Sequence, residues 1–225
     1  MSRKATEGAK ETEAAARTSV LGCAQSMSRM GLSAGRSGNV SRRWRDGILI
    51  TPSGMAYEAT TANDIVFVDA DGSTAKAARK PSSEWRFHLA AYAARPDRHA
   101  IVHTHSLHAT VLACAHRPIP AFHYMVAVAG GADIPCIPYA TFGSEALSEL
   151  VAQELASRDA CLMANHGQIA IGANLGAALE LAAEVEVLAE QYYKVLMLGE
   201  PQILDAAEMA RVLEKFKGYG QKASG

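Results

Sequence analysis

The sequence has few of the features that mark membrane, secreted or nucleic-acid-binding proteins. Histidines or glutamates interrupt its longest apolar runs, so none reaches the roughly 20 residues that a membrane-spanning helix needs. The formal net charge is only −1, which favours neither nucleic acid nor an anionic membrane as a partner. No secretory signal pattern opens the chain, and we therefore expect a soluble, cytoplasmic protein.

Cysteine is scarce and carries no metal-binding or redox motif. The four cysteines form no CxxC pair, which predicts reduced and mostly packed thiols. The chain also lacks a P-loop. Any phosphate group must therefore be bound by other means, such as helix N-termini and backbone N–H groups.

The apolar content is high enough for a substantial core. The chain has 225 residues and is 49% hydrophobic, so a single domain is the economical expectation. Residues 1–12 are polar and lack a periodic apolar face, which predicts a disordered N-terminal extension. We expect residues 13–225 to form the single domain.

The apolar spacing predicts both helices and strands. Helical spacing recurs over residues 14–30, 107–116, 144–157, 175–198 and 206–216, and a further helix opens at 82–84. Short apolar runs predict strands near residues 48–50, 65–68, 100–102, 134–138, 161–163 and 169–171, and Asp46-Gly47 indicates a hairpin. These elements predict an α/β (α+β) fold, with a mixed or antiparallel central sheet covered by helices on its faces.

Three histidines follow predicted buried strands. His103 and His105 are two positions apart, so on a strand they point to the same face, roughly 6–7 Å apart along it. His166 follows another apolar run and precedes Gly167, which lets the backbone turn sharply. Ordinary strand histidines are the alternative, but three imidazoles with a carboxylate suit a zinc site.

Glu84 is the candidate carboxylate, and it also has a simpler interpretation. A glutamate in the first turn of a helix is favoured by the helix dipole whatever the protein does. The functional hypothesis is that Glu84 faces the metal, as a ligand at rest and as an acid/base once substrate displaces it. The remaining histidines, among them His88 inside a predicted helix, are interpreted as packing or surface residues.

Glycine-rich and hydroxyl-rich turns are candidates for an anion site. They are Gly38-Asn39, Thr51-Pro52-Ser53-Gly54 and Ser82-Ser83. Each alone is more often only a turn or a cap. Together they indicate an anion site more strongly, since turns of this kind bind phosphate through backbone N–H groups. One of the three lies beside Glu84.

The motifs together resemble the class II aldolase/adducin family, and within it the enzymes that cleave ketose 1-phosphates of the L-fuculose 1-phosphate type. The similarity covers nearly everything from Met27 to Tyr219. It lies in SGNVS at 37–41, GILITPSGMAYE at 47–58, KPSSEWRFH at 80–88, VHTHS at 102–106, IPAFHYM at 119–125, IPYATFGS at 137–144, NHG at 165–167 and EKFKGYG at 214–220.

The resemblance implies a role for each motif. It implies one Zn²⁺ per subunit, or another divalent metal, held by His103, His105, His166 and Glu84, with Glu84 also the catalytic acid/base. The implied phosphate site consists of Gly38, Asn39, Thr51, Ser53, Gly54, Ser82 and Ser83. It further implies a homotetramer with active sites between subunits, where Tyr124 and Tyr219 of a neighbouring chain act on substrate and Phe142 lines the distal end.

The implied reaction is zinc-dependent retro-aldol cleavage of the ketose 1-phosphate to dihydroxyacetone phosphate and an aldehyde, L-lactaldehyde for L-fuculose 1-phosphate. In it Tyr124 helps remove the C4 hydroxyl proton, and Glu84 protonates C3. The nearest alternative is the same cleavage of 5-deoxyribulose 1-phosphate or 5-methylthioribulose 1-phosphate. Three more distant hypotheses are pentulose-phosphate 4-epimerisation, dehydration of methylthioribulose 1-phosphate and a non-catalytic adducin-like binding role.

Overall fold

Six α-helices and a seven-stranded sheet make up the fold of residues 11–218. A computed structural model describes residues 11–218. The helices are α1 (Glu13–Arg29), α2 (Trp85–Ala94), α3 (Leu107–Cys114), α4 (Glu145–Leu155), α5 (Leu175–Leu198) and α6 (Ala206–Phe216). None of the helices in this part of the chain is long and apolar enough to cross a bilayer.

Side-chain caps begin four of these helices. The cap residues accept hydrogen bonds from backbone N–H groups in the first turn, at Thr12, Ser144, Asn174 and Asp205. Such a cap typically stabilises a helix by about 1 kcal/mol. Both α5 and α6 have the bounds predicted from the sequence.

The sheet is mixed, and nearly all of its pairs are antiparallel. Its strands are β1 (Asn39–Trp44), β2 (Gly47–Ile50), β3 (Val66–Val68), β4 (Ala100–Thr104), β5 (Cys136–Ile137), β6 (Ala160–Met163) and β7 (Gly167–Gly172). Their order is β3-β2-β1-β4-β7-β6-β5, and only β5 and β6 pair in parallel. The predicted mixed sheet is therefore confirmed, with β4 at its centre and the proline-flanked β5 at one edge.

Helices cover both faces of the sheet, as predicted. On one face Val40, Val102 and Leu162 join a core with α1, α3 and α5. On the other face Ile101 and Ile169 join a second core with α2 and α4. Because side chains alternate along a strand, His103 shares the face of Ile101 and so points towards α2.

The predicted N-terminal extension differs from the structure at its last two residues. Glu11 forms a 2.8 Å ion pair with Arg42 of β1, and Thr12 caps α1. Both residues therefore take part in the fold. Residues 1–10 lie outside the described part of the chain, so the prediction of disorder there stays a prediction.

Candidate metal centre and active site

The three predicted histidines converge at one end of the central strand. His103 lies in β4, His105 follows it, and His166 lies in the turn between β6 and β7. The Nε2 atoms of His103 and His105 are 3.1 Å apart, and the three ring centroids are separated by 4.8–4.9 Å. Zn–N bonds of about 2.0–2.1 Å place tetrahedral ligand nitrogens roughly 3.3–3.4 Å apart. The ligand nitrogens of the triad all lie within 4.8 Å of one another, close enough to hold one metal ion after a small adjustment.

Strand pairing determines the tautomer of His103. Its Nδ1 lies 2.7 Å from the backbone oxygen of Gln168, and a carbonyl oxygen can only accept. Nδ1 therefore carries a proton, which leaves Nε2, the nitrogen nearest His105 and Glu84, as the one that can bind a metal. A second hydrogen bond of this kind commonly orients a metal-binding histidine.

The side chain of Glu84 lies beside the histidine triad. The residue immediately precedes α2, yet its side chain makes no capping hydrogen bond to that helix, so the interpretation as a simple first-turn glutamate does not describe its contacts. Instead Oε1 lies 3.0 Å from His166 Nε2 and Oε2 lies 3.2 Å from His103 Nε2. Glu84 therefore lies beside His103 and His166, and its role as a metal ligand and acid/base stays a prediction.

The electrostatics of the cluster favour a bound cation. Burial alone would raise the pKa of Glu84, but the close approach of His103 and His166 outweighs burial and lowers it. Burial, reinforced by the charges of His103 and His166, lowers the pKa of His105 to about 4. Near neutral pH His105 is therefore an uncharged imidazole, the form that binds metals.

One buried carboxylate oxygen is left without a hydrogen bond. Glu84 Oε1 is inaccessible to solvent and finds no partner of acceptable geometry. An unsatisfied buried oxygen is costly, and a cation held by this oxygen and the three imidazoles would satisfy it. The residues present therefore fit a divalent metal of the kind that accepts nitrogen and oxygen ligands.

The turn that carries His166 differs from the prediction. The sharp bend was assigned to Gly167, but the positive φ, 54°, belongs to Asn165. Gly167 is needed for another reason: a Cβ there would lie 2.3 Å from the backbone oxygen of Thr104 and 3.1 Å from His105 Cδ2. The glycine permits close approach of β7 to β4, and so brings His166 to the other two histidines.

A cavity of about 410 Å³ opens beside the histidines. Its walls include Glu84, His105 and His166 as well as six of the seven residues predicted to bind phosphate, namely Gly38, Asn39, Ser53, Gly54, Ser82 and Ser83. Three separate turns of the chain therefore meet at one cavity next to the candidate metal centre. Their role in binding phosphate stays a prediction.

Thr51 is the seventh, and it does not line this cavity. It is buried, and its Oγ1 accepts a hydrogen bond from the Val40 N–H. Its backbone oxygen accepts from the Ser82 N–H at 3.0 Å. These contacts show Thr51 joining two of the turns to each other and to β1.

Several cavity residues were not singled out from the sequence. Arg36, Ser37, Pro52, Tyr139, Ala140 and Asn165 also line it. Arg36 precedes the Ser37-Gly38-Asn39 turn, and Asn165 precedes His166. Arg36 adjoins a quoted motif and the other five lie within one, which was the signal available for them.

The remaining predicted residues lie farther out. Phe142 lines the cavity and is 64% exposed. Tyr124 is not part of the cavity wall and is 50% exposed, which excludes the core position that its apolar surroundings in the sequence would suggest. Tyr219 lies outside the described residues.

Comparison with known proteins agrees with this geometry. Residues 18–193 match the family model described as the class II aldolase and adducin N-terminal domain. The chain belongs to the class II aldolase and adducin family. With its histidine triad and carboxylate, it is a class II aldolase, a lyase of a metal-dependent family.

Individual relatives cover nearly the whole chain. A 5-methylthioribulose-1-phosphate/5-deoxyribulose-1-phosphate aldolase of Rhodospirillum rubrum is 54% identical over 93% of this chain and 94% of its own length. An L-fuculose phosphate aldolase of Escherichia coli O6:H1 is 54% identical over 86% of this chain and 90% of its own length. A solved structure of an L-fuculose 1-phosphate aldolase superposes with a TM-score of 0.88 and is 38% identical, covering 93% of this chain and all of that one.

Proposed function

We propose that this class II aldolase cleaves a ketose 1-phosphate, such as L-fuculose 1-phosphate, to dihydroxyacetone phosphate and an aldehyde, here L-lactaldehyde. The observation that carries the proposal is the convergence of three imidazoles and one buried carboxylate beside a cavity lined by hydroxyl-rich and glycine-rich turns. Relatives named for L-fuculose phosphate cleavage support it.

The metal we propose is Zn²⁺, one per subunit, held by His103, His105, His166 and Glu84. Three histidines and one carboxylate form a donor set that zinc accepts. When bound, the metal acts as a Lewis acid that polarises the ketose carbonyl. A different divalent metal is the alternative.

Glu84 is proposed to carry the proton that ends on C3 of the dihydroxyacetone phosphate half. Glu84 is one of the residues that line the cavity, and its carboxyl is ionised near neutral pH because the nearby imidazoles lower its pKa. Substrate that displaces Glu84 from the metal would free its carboxylate to take up one proton and then give it to C3, which balances the proton that the C4 hydroxyl loses. General acid–base catalysis of this kind contributes typically 10²–10⁴-fold.

The phosphate is proposed to bind against the part of the cavity wall that the three turns form. Gly38, Ser53, Gly54, Ser82 and Ser83 provide hydroxyl and backbone donors there. Arg36 adds a cation to the same wall, and guanidinium groups favour phosphate. We keep Thr51 in the phosphate site as a residue that holds two of the turns together.

We also propose a homotetramer whose active sites lie between subunits. Tyr124 is half exposed and lies outside the cavity of its own chain, so it can act on substrate only in a neighbouring subunit or after rearrangement. Tyr219 is proposed to reach the site in the same way. Sedimentation velocity of the full chain tests the oligomeric state. The cytoplasmic location expected from the sequence stays a prediction.

A second candidate is the same cleavage of 5-deoxyribulose 1-phosphate or 5-methylthioribulose 1-phosphate. The Rhodospirillum rubrum relative named for both is 54% identical. The exposed aromatic rings of Tyr139 and Phe142 line the mouth of the cavity. Apolar surface discriminates weakly between aldehyde ends, by about 1–3 kcal/mol per methylene.

The deciding experiment compares the three ketose 1-phosphates side by side with zinc-loaded protein. We expect dihydroxyacetone phosphate and a free aldehyde, with the highest kcat/KM for the physiological substrate. Epimerisation would leave the carbon skeleton whole, and dehydration would release water without an aldehyde. Protein that binds metal but cleaves none of the three would refute the proposed function, and protein that binds no metal would favour an adducin-like binding role.

A further inference from the structure

A chain of buried polar side chains runs behind Glu84, away from the cavity. Asn39 Nδ2 donates a hydrogen bond of 2.9 Å to Glu84 Oε2. Asn39 Oδ1 contacts His88 Nε2, His88 Nδ1 lies 2.7 Å from Ser41 Oγ, and Ser41 Oγ lies 2.9 Å from Tyr92 Oη. Asn39, Ser41, His88 and Tyr92 are all buried.

Two regular elements produce this arrangement. Glu84, His88 and Tyr92 are spaced four residues apart, so they follow one face of α2. Asn39 and Ser41 are two residues apart on β1, so they point to one face of the sheet. Since Asn39 pairs with His103 across β1 and β4, the strand side chains and the helix side chains interleave directly beside the candidate metal centre.

The donors and acceptors of these side chains determine the direction of the hydrogen bonds that join them. A carboxylate only accepts hydrogen bonds, so Asn39 must present its amide nitrogen to Glu84 and its amide oxygen to His88. His88 must then donate through Nε2. Burial, and next the charge of His103, lower the pKa of His88 to about 3, so the ring is neutral near neutral pH.

A neutral imidazole has one donor and one acceptor nitrogen. With the proton on Nε2, His88 Nδ1 must accept from the Ser41 hydroxyl, and Ser41 in turn accepts from the Tyr92 hydroxyl. Every hydrogen bond in this row of side chains is therefore donated in the direction of Glu84. In the opposite tautomer, His88 would offer a lone pair to the oxygen of Asn39 and leave that oxygen unsatisfied.

We propose that His88 is a positioning residue that, with Ser41 and Tyr92 behind it, fixes the orientation of the Asn39 amide and thereby holds the Glu84 carboxylate in one rotamer beside the metal. His88 touches neither the metal centre nor the cavity, so it acts through Asn39. Its effect on turnover rests on the proposed function, whereas its effect on Glu84 does not.

The first experiment compares two substitutions of similar size, His88→Gln and His88→Met. Glutamine places an amide donor near the position of imidazole Nε2 and can satisfy Asn39, whereas methionine cannot. We expect His88→Met to weaken zinc binding by up to about tenfold, at the lower end of the effect of removing a direct partner of a ligand, because His88 acts through Asn39. We expect His88→Gln to retain most of the affinity. Competition with a chromophoric chelator measures both, and equal affinities would overturn the proposal.

The second experiment needs no substitution and no activity. The ¹⁵N NMR spectrum of the His88 ring in the metal-free wild-type protein should show a proton on Nε2 and a bare Nδ1. A proton on Nδ1 would overturn the directed chain. The proposal stays testable in this way if either His88 variant fails to fold.

A matched pair of serine substitutions separates positioning from general stability. Ser41→Ala removes a hydroxyl from the row of side chains behind Glu84. Ser148→Ala removes a buried hydroxyl of α4 that donates to the backbone oxygen of the cap residue Ser144. We expect Ser41→Ala to lower kcat with little change in KM, because the cavity wall is intact, and Ser148→Ala to change neither. Equal effects would contradict the positioning role. Wild-type protein without aldolase activity would instead refute the proposed function, and zinc affinity and the NMR spectrum would still decide the role of His88.

Discussion

The substitution Gly167→Ala adds one methyl group at the closest approach of two metal-binding segments. A Cβ at this position would lie 2.3 Å from the Thr104 backbone oxygen and 3.1 Å from His105 Cδ2. The φ of Gly167 is not among the positive values of the chain, so alanine brings no backbone strain. The effect of the substitution is therefore steric.

The size of the required movement follows from these distances. Ordinary contact begins at 3.4 Å, so Thr104 and residue 167 must separate by 3.4 − 2.3 = 1.1 Å. Thr104 cannot turn away freely, because it is the last residue of the central strand β4 and pairs with Gln168. Overpacking of this kind costs about 1–3 kcal/mol, and a metal site tolerates displacements of only about 0.5 Å.

We expect Gly167→Ala to weaken zinc binding at least tenfold, which corresponds to about 1.4 kcal/mol. In the presence of a chelator, the Tm of the variant should fall by about 2–4 °C for each kcal/mol of strain. Competition with a chromophoric chelator and circular dichroism provide the two measurements.

The matched control is Gly22→Ala, since Gly22 lies in α1 and an added Cβ there meets nothing within 4 Å. This control should leave zinc affinity unchanged and stabilise the helix by about 0.5–1 kcal/mol. Wild-type zinc affinity in folded Gly167→Ala protein would refute the argument from close approach.

Three further predictions follow from the site. His105→Ala should lose zinc and activity together, because the triad then keeps two of its three imidazoles; metal analysis after gel filtration checks this, and a zinc-free variant with full activity would exclude the metal mechanism. Glu84→Gln should retain metal but lose turnover by about 10²–10⁴-fold, since an amide cannot transfer the proton; rapid turnover by this variant would contradict the acid/base role. In metal-free protein, unfolded His88 binds a proton below its ordinary pKa of 6.5 while folded His88 does not until about 3. His88 therefore lowers the free energy of unfolding by about 1.4 kcal/mol for each pH unit below 6.5. Urea titrations from pH 6.5 to 4.5 should show a shallower pH dependence for His88→Gln, and equal slopes would show that His88 titrates alike in both states.

The secondary structure was largely predictable because local patterns decide it. The bounds of α5 follow from the Asn174 cap at one end and Gly199 at the other. The strand that carries His103 was recognisable as a short apolar run between polar turns. In each case residues within a few positions of one another carry the signal.

The chemical composition of the metal site was also readable from local sequence. His103 and His105 share a face because strand side chains alternate. The pattern of residue types indicated a metal, and the resemblance of the surrounding motifs indicated the family. The roles of the phosphate-site residues rest on that resemblance and stay predictions.

Local patterns do not predict contacts between distant segments, and the meeting of the histidines with Glu84 was expected from the residue types together with the family resemblance. Glu84 could have been a helix-stabilising carboxylate, and only the packing of α2 against the sheet turns it towards the histidines. His88 was interpreted as a packing or surface residue, whereas it is buried and bonded to Asn39. Thr51 was grouped with the phosphate turns but lies behind them.

The sequence by itself determined which elements form and which side chains can bind a metal, since propensity, capping and alternation act over a few residues. Tertiary structure alone decided which of these side chains meet. His166 reaches His103 because β7 pairs with β4 in one register, and Asn39 reaches Glu84 because β1 pairs with β4 on the other side. Strand order and register are set by the packing of the whole chain, which no local pattern encodes.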